Sequence, residues 1–562
     1  MRQSTLQVQA DMNSAVAIFY AVSFFATTLA LIALIWAITR GQLEHGSLGA
    51  RVIFRRGEVG HTEEPAATEE ERAKLVIASG RTPEAPDPAD EAETRAEIEA
   101  RRIADTSSRG PVLFHLTSSI IWLLVGSLAG LIVSLKFTMP DWLTDSALLT
   151  FGRLRPLHLN TVIYGWLSMN GIAVALWLFP RLLKTPLRGG RYAIAGGVLW
   201  NLGMIIGSVS LLVGWTDGLE WLEFPWPADT LIVIGGALAG VPLLVTLAAR
   251  KVEHLYVSVW YLLAAFLWFP IIYLIANIPH TFTGVDNAVM NWWYAHNVLG
   301  LWLTPIGLAS AYYFIPKVIG RPVYSYQLSL IGFWSLAMFY SQAGIHHLIG
   351  GPIPTWLVTT SVVMSVGMVF PVIAVAVNHH YTMKGRFSAL KSSPTLRFMV
   401  SGAMMYTLVS LQGCTESLRS VSHIVHFTHY TVAHAHFGVY GFASFIAFGS
   451  VYFLLPRLIE REWPYPNLIK WHFWLAIGGF AVYFVTLSIG GVLQGLAMLD
   501  ATRPFIESVR VTIPFLWGRT LGGATMVVAH FVFAFHVFMM IRRRGPAREV
   551  SPWAQAITSV TP

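Results

Sequence analysis

Long apolar runs separated by short polar stretches fill most of the chain, and nowhere does it show the strict alternation that would line a barrel strand. The runs reach about 18 residues or more, enough for a helix to cross a hydrocarbon core about 30 Å thick. The first extends from about Asn13 to Ala37. About twelve follow, beginning near Val112, His158, Tyr192, Leu231, Val257, Asn291, Tyr326, Trp356, Phe398, Tyr430, Trp471 and Pro514. Lipid offers backbone groups no hydrogen bonds, so such runs must be helical. The pattern predicts an all-α polytopic membrane protein with a twelve-helix core and one extra N-terminal transmembrane helix.

The polar stretches set the domain boundaries. Residues 1–40 form the anchor, 111–545 the core and 546–562 a tail on the cytoplasmic side. Between anchor and core, residues 41–110 carry Glu63-Glu64, Glu69-Glu70-Glu71 and the Pro-rich stretch from Pro83 to Pro88. This segment has little to bury and is predicted to be a mobile cytoplasmic tether, with one short helix over Asp90–Ala104.

Composition supports the membrane reading: 12% of residues are charged, against about a quarter in soluble domains. The net charge of +8 comes from Lys and Arg at alternate ends of the core spans. Examples are Arg181 and Lys184, Arg250 and Lys251, Lys317 and Arg321, Lys384 and Arg386, Arg457 and Arg461, and Arg542 to Arg544. That alternation is topology, not nucleic-acid binding, and it places both ends of the core in the cytoplasm. The anchor's positive flank (Arg40, Arg51, Arg55, Arg56) follows it, the reverse of a secretory signal, so its N-terminus is predicted outside. The single cysteine, Cys414, excludes a disulfide framework and a thiolate metal site. With no Cys-x-x-Cys-His, the chain cannot attach a c-type haem, so any c-type cytochrome is a partner.

Topology turns sequence positions into depths. His158, His296, His434 and His436 open inward-running spans, while His346 and His347 close an outward-running one. Six imidazoles therefore meet in the outer third of the bilayer, where ionisable side chains mark function. Any lone pair of histidines would be read as polar groups near a membrane surface; the convergence of six is what argues for metals. His434 and His436 point about 200° apart on one helix, so they serve different metals. The six divide as three plus one plus two. His296, His346 and His347 suit a copper with an open position; one of His434 and His436 suits a haem held from one side. The other joins His158 on a haem held from both sides. Such a haem is coordinatively full and passes electrons only, whereas the open one can bind a small oxidant.

The motifs Gly152-Arg153-Leu154-Arg155-Pro156-Leu157-His158, Trp292-Trp293-Tyr294-Ala295-His296-Asn297, Tyr313-Phe314-Ile315-Pro316-Lys317, Gly320-Arg321-Pro322-Val323-Tyr324-Ser325-Tyr326 and His434-Ala435-His436 together resemble the catalytic subunit of haem–copper oxidases, specifically the cbb-type cytochrome c oxidases, over roughly Val112 to Arg544. The resemblance implies that His434 holds the high-spin haem, of b type, that His436 and His158 hold the low-spin haem b, and that His296, His346 and His347 hold copper B. It implies oxygen reduction in a bacterial inner membrane, with metal centres near the periplasmic side. Electrons come from membrane-anchored mono-haem and di-haem c-type subunits, and proton uptake and pumping accompany the reaction. A small single-span subunit and a calcium ion near the haem propionates are also implied, although the chain shows no dedicated calcium motif.

Reducing oxygen to water in one pass takes four electrons; the metals supply three and a nearby phenol the fourth. In the larger family that tyrosine lies one turn after the first copper histidine, a position held here by Gly300. In the cbb type it lies six residues before the His-His pair, which is Tyr340. Tyr340 and His347 are then predicted on one helical stripe, and the resemblance implies a covalent link from Tyr340 to His296. The plainer alternative is a buried tyrosine with a satisfied hydroxyl. Tyr312, Ser329 and Tyr406 match the family's proton pathway, though each also suits an ordinary interhelical hydrogen bond. Arg153 and Arg155 suit haem propionates or a plain surface role.

The chain departs from the family in three places. Leu411-Gln412-Gly413 stands where Phe-Glu-Gly is usual, and His429 replaces an acidic residue. The N-terminal Ile35-Trp36-Ala37-Ile38-Thr39-Arg40-Gly41-Gln42-Leu43-Glu44 resembles the small assembly protein of these oxidases, so the anchor is either a fusion or an ordinary extra helix. Two rivals stand beside the oxidase. A nitric oxide reductase shares the fold but places glutamates around a non-haem iron, and Tyr340 and Gln412 argue against it. A non-enzymatic haem-binding electron carrier would need His158 and His436 but leave three histidines without a task.

Overall fold

A computed structural model of the chain describes residues 28–29, 31–44, 46–54, 58–78, 95–277 and 282–547. Most of the expected anchor and all but the start of the tail lie outside these residues. Within them the architecture is helical, with no named strand. Eleven helices are long and apolar enough to cross a membrane. The ninth expected core span forms the more polar 23-residue helix Pro394–Glu416, which is not among those eleven. Proline opens this helix and also Pro466–Leu499, where a missing backbone N–H costs nothing.

Three helices stand apart: Phe151–Leu182, Gly284–Ile319 and His429–Ile459. Their apolar windows are 94%, 89% and 94% buried, against 33–56% for the other spans. These three central helices share one plan. Each carries histidine in its first half, then a π-helical turn (Thr161–Leu167, Leu299–Leu303, Phe437–Ser444), then a proline followed by a cation. The terminal pairs are Pro180-Arg181, Pro316-Lys317 and Pro456-Arg457. π-Helical turns recur at functional sites because they re-aim the side chains beside them. The remaining spans wrap this trio and present apolar faces outward.

Two boundaries differ from the hydropathy reading. The first central helix begins at Phe151 and the second at Gly284, so His158 and His296 lie well inside their helices rather than at their mouths. Polar residues such as Arg153, Arg155 and Asp286 hid these first turns from an apolar count. The predicted linker helix also continues into the first core span, as Ala96–Lys136.

Residues 58–75 and 95–107 are not a loose tether. Gly60 and Glu63 donate backbone N–H bonds to the Gly320 and Val318 carbonyls. Glu64, 3% exposed, accepts bonds from the Thr395 N–H at 3.1 Å and the Thr395 hydroxyl at 2.7 Å, and from the Ser393 hydroxyl. It thereby covers the open N-terminus of Pro394–Glu416, where carboxylates are favoured. Glu58 pairs with Lys317 at 2.6 Å, Asp105 with Arg181 at 2.7 Å, and Glu63 with Arg457. Composition counted these carboxylates as solvated; each in fact meets a buried cation at the basic end of one central helix.

Candidate metal centre

His296 reaches the site from the second central helix, and His346 and His347 from the next span. The helix Tyr326–Tyr340 ends at the expected tyrosine, and the chain turns before the short 3₁₀ segment Ile345–Leu348. Tyr340 and His347 therefore do not share one helical stripe. The turn pivots on Gly344 at φ 120°, where a Cβ would lie 2.9 Å from the His296 Cβ and the Trp292 carbonyl. Only glycine lets this turn close on the second central helix.

The result is a cluster of three imidazoles whose candidate ligand atoms all lie within 4.8 Å of one another. It is the one such grouping of three or more His, Cys, Asp or Glu among the described residues. Ring centroids are 4.9 Å apart for His296 and His346, 4.6 Å for His346 and His347, and 5.6 Å for His296 and His347. The His346 Nδ1 sits 3.1 Å from the Ser361 hydroxyl and 3.0 Å from that of Ser365, leaving Nε2 uncommitted. His347 stacks on Trp292 at 4.7 Å. An all-nitrogen set of neutral imidazoles fits copper, and the hydroxyls behind His346 are the outer partners that orient such ligands. The calcium ion expected from resemblance has no preformed carboxylate cage among the described residues.

Tyr340 packs on His296 with ring centroids 4.7 Å apart. Gly300 makes this possible, because a Cβ there would fall 1.7 Å from the Tyr340 ring. The glycine that occupies the larger family's tyrosine position is thus the floor under this chain's tyrosine.

His434 and His436 diverge as their spacing requires. His436 faces His158, their rings 6.2 Å apart and inclined by 16°. The His158 Nδ1 is tied to the Gly126 carbonyl at 2.7 Å and the His436 Nδ1 to that of Val432 at 2.9 Å. With Nδ1 tied on both rings, Nε2 is the nitrogen each could offer a metal. Gly130 lets His158 lie against the neighbouring helix; a Cβ there would meet its ring at 2.7 Å. These donors fit a haem held from both sides. His434 turns the other way, its Nδ1 3.3 Å from the Gln412 Oε1 and 3.7 Å from the Glu416 Oε1. All six imidazoles are only half-buried although their surroundings are closely packed, so they border space within the bundle.

Arg153 and Arg155 do not turn toward this space. Arg153 donates to the Leu212 carbonyl at 2.8 Å and Arg155 pairs with Glu220 at 2.7 Å, the plain structural alternative. Arg519, which the sequence reading passed over, is 7% exposed and leaves Nε and Nη1 buried without hydrogen-bond partners. It lies over Tyr483, whose hydroxyl is 3.2 Å from the His436 Nε2. His429 contributes a backbone N–H bond to Gln494 and packs on Phe137.

Tyr312, Ser329 and Tyr406 are all buried, and the Tyr312 and Tyr406 hydroxyls lack partners. The Ser329 hydroxyl bonds the Tyr326 carbonyl, an ordinary intrahelical contact. Tyr312 stacks on Tyr261 at 5.9 Å and meets His379 at 4.5 Å; both His379 ring nitrogens are unpartnered. Tyr261 and His379 were missed because one polar residue in an apolar run gives no positional signal.

Comparison with known proteins shows the family of the chain. The model of the family described as Cytochrome C and Quinol oxidase polypeptide I matches residues 110–525. The chain is 33% identical over 445 residues to the cbb3-type cytochrome c oxidase subunit CcoN1 of Stutzerimonas stutzeri, covering 76% of this chain and 94% of that protein. It is 32% identical to a cytochrome c oxidase subunit 1 homolog of Agrobacterium tumefaciens, covering 79% and 86%. The fold matches a heme-copper terminal oxidase dimer with a TM-score of 0.67 at 15% identity, over 79% of this chain and 86% of that one. The chain belongs to the haem–copper oxidases as a subunit I of the cbb type, the catalytic subunit of a terminal cytochrome c oxidase that carries haem and copper in a bacterial membrane.

Proposed function

We propose that His296, His346 and His347 hold copper B, that His434 holds the high-spin haem b from one side, and that His158 and His436 hold the low-spin haem b from both. The observation that carries this reading is the three-imidazole cluster beside the Tyr340 ring. Bound haem and copper supply electron transfer and the place where oxygen is reduced. The protein's residues do the rest. The serine pair behind His346 and the carbonyls behind His158 and His436 fix which ring nitrogen faces inward. Tyr340 supplies one electron and its hydroxyl proton, held in reach by Gly300. The covalent bond to His296 that the resemblance implies removes one hydrogen from each ring, and oxygen takes up the two electrons and two protons.

Tyr312 and Tyr406, with Ser329, form the route that returns protons to Tyr340 from the cytoplasmic side, and His379 and Tyr261 extend it. The alternation of Lys and Arg puts the histidine ends of the central helices at the periplasmic side. Membrane-anchored mono-haem and di-haem c-type subunits, with a small single-span subunit, are the partners that fit a chain unable to bind c-type haem itself. Arg519, rather than Arg153 or Arg155, is the residue we assign to a haem propionate. The segment before residue 110 lies outside the family match and is read as an attached accessory element.

Oxygen uptake by the purified complex, driven by reduced cytochrome c, tests the reading. In Tyr340→Phe uptake should collapse with haem and copper content unchanged; in His346→Ala copper should be lost while the low-spin haem spectrum persists. Copper retained in His346→Ala would sink the assignment. Iron in place of copper in the wild type, with nitric oxide consumed instead of oxygen, would favour the reductase.

A further inference from the structure

Just past the three π-helical turns, on the side away from the histidines, the central helices meet around a cavity. Leu167, Leu303 and Ala443 line it from the turns themselves, and each helix adds one polar side chain farther on: Asn170, Ser310 and Ser450. These three are 2%, 2% and 0% exposed. The cavity has room for a water molecule. Both hydroxyl protons are already committed. Ser310 donates to the Ile306 carbonyl at 2.8 Å and Ser450 to that of Ile446 at 2.9 Å, each one turn back on its own helix. Their oxygens can still accept. Asn170 is the converse, its Nδ2 a donor buried without a partner in the protein.

A ligand that completes this set must accept from an amide and donate to two oxygens. No residue lining the cavity is charged, so an ion of either sign would lose its hydration with no opposite charge to replace it. An apolar molecule would leave the amide unpaired. Water meets each condition, and buried waters typically make about three hydrogen bonds. We propose that Asn170, Ser310 and Ser450 hold one water molecule where the three central helices meet. It accepts from the Asn170 amide and donates to the two serine oxygens, joining the helices that carry His158, His296 and the His434–His436 pair.

One aromatic ring from each helix closes this joint toward the basic end. Trp177, Phe314 and Phe453 lie seven, four and three residues beyond the polar positions, and so on the same helix faces. Their ring centroids are 6.1 Å apart for Trp177 and Phe314, 6.0 Å for Trp177 and Phe453, and 4.9 Å for Phe314 and Phe453. Arg181 lies over Trp177 at 5.1 Å and Arg457 over Phe453 at 5.7 Å. The layer thus stands between the polar site and the buried ion pairs.

The test is a density map of the intact complex at a resolution that shows ordered water, recorded with and without xenon pressure. One peak should lie within hydrogen-bond reach of the Asn170 Nδ2 and both serine oxygens, and xenon, which enters dry apolar cavities, should not take its place. In Asn170→Leu the peak should be lost. Should that variant fail to assemble, Ser310→Ala with Ser450→Ala removes both acceptors at little cost in volume and should lose the peak instead. An Asn170 amide bonded directly to protein with no peak beside it overturns the proposal. So does xenon at this position in the wild type, or a peak that survives either variant.

Discussion

The three central helices have the same plan, yet their two ends solve opposite problems. At the basic end, Arg181, Lys317 and Arg457 are each no more than 6% exposed in their side chains, and carboxylates from the segment before residue 110 meet all three. At the histidine end His158, His346 and His434 each have Nδ1 fixed by a carbonyl, hydroxyl or amide and Nε2 uncommitted, while His436 has Nδ1 fixed and only the Tyr483 hydroxyl near Nε2. Buried polar groups normally find partners within the protein. One end obeys that rule with the chain's own residues, and the other leaves the ring nitrogens that we assign to metals. Damage to the histidine end should therefore appear in chemistry, and damage to the basic end in stability.

The most severe single change should be Gly300→Ala. Its Cβ would occupy the Tyr340 ring, 1.7 Å from the nearest carbon. That ring is held between two helices and cannot swing aside as a flexible side-chain tip would. Displacing a reacting group by about 1 Å can cost a hundredfold in rate. Oxygen uptake should fall by at least about that factor, more than thermal stability does. Uptake near wild type would mean that Tyr340 has freedom its packing does not allow, and the glycine would lose its role as floor.

The basic end should respond differently to Arg457→Ala. Arg457 pairs with Glu63 and lies 3.4 Å from Asp105, so its loss strands carboxylates in a buried site. Breaking such a pair from one side typically costs about 3–5 kcal/mol. The thermal midpoint of the complex should drop accordingly, while haem and copper per folded molecule stay constant. The double change Arg457→Met with Glu63→Met should recover much of that loss, because it removes the stranded charge as well. Loss of copper in proportion to stability would show that the two ends are coupled after all.

Much of this arrangement was legible before the structure. Hydropathy gave the spans, and charge alternation with six histidines gave a common depth, because lipid leaves helices no alternative way to satisfy their backbone. What failed was local. Periodicity continued the helix beyond Tyr340, but Gly344 breaks it, and the break is what carries His346 and His347 to His296. Composition made residues 58–75 a tether because a carboxylate's partner cannot be seen along the chain. Gln412 read as a lost carboxylate, whereas Glu416 lies one turn away on the same face and reaches the same imidazole. Arg519 and His379 were invisible for the same reason: their meaning is the company they keep, and that is set by tertiary packing.

The smallest expected effect lies in a loop at the histidine end. Glu223 is 3% exposed and accepts a 2.7 Å bond from the Asn160 side-chain amide on the first central helix. Burial, aided by the neighbouring Glu220, pushes its carboxyl up to about 7. A raised carboxyl favours folding while protonated, so its contribution is complete below the usual carboxylate range and fades as pH rises through about 7. Stability of the complex should therefore decline between pH 5 and 8 by on the order of 2 kcal/mol from this group. Glu223→Gln keeps a hydrogen-bonding side chain without the charge and should flatten that decline, leaving the variant more stable than the wild type at pH 8. An unchanged slope in thermal melts across this range would mean that the loop opens to water. The histidine end would then be less tightly sealed than the basic end, where Glu64 is held by Ser393 and Thr395.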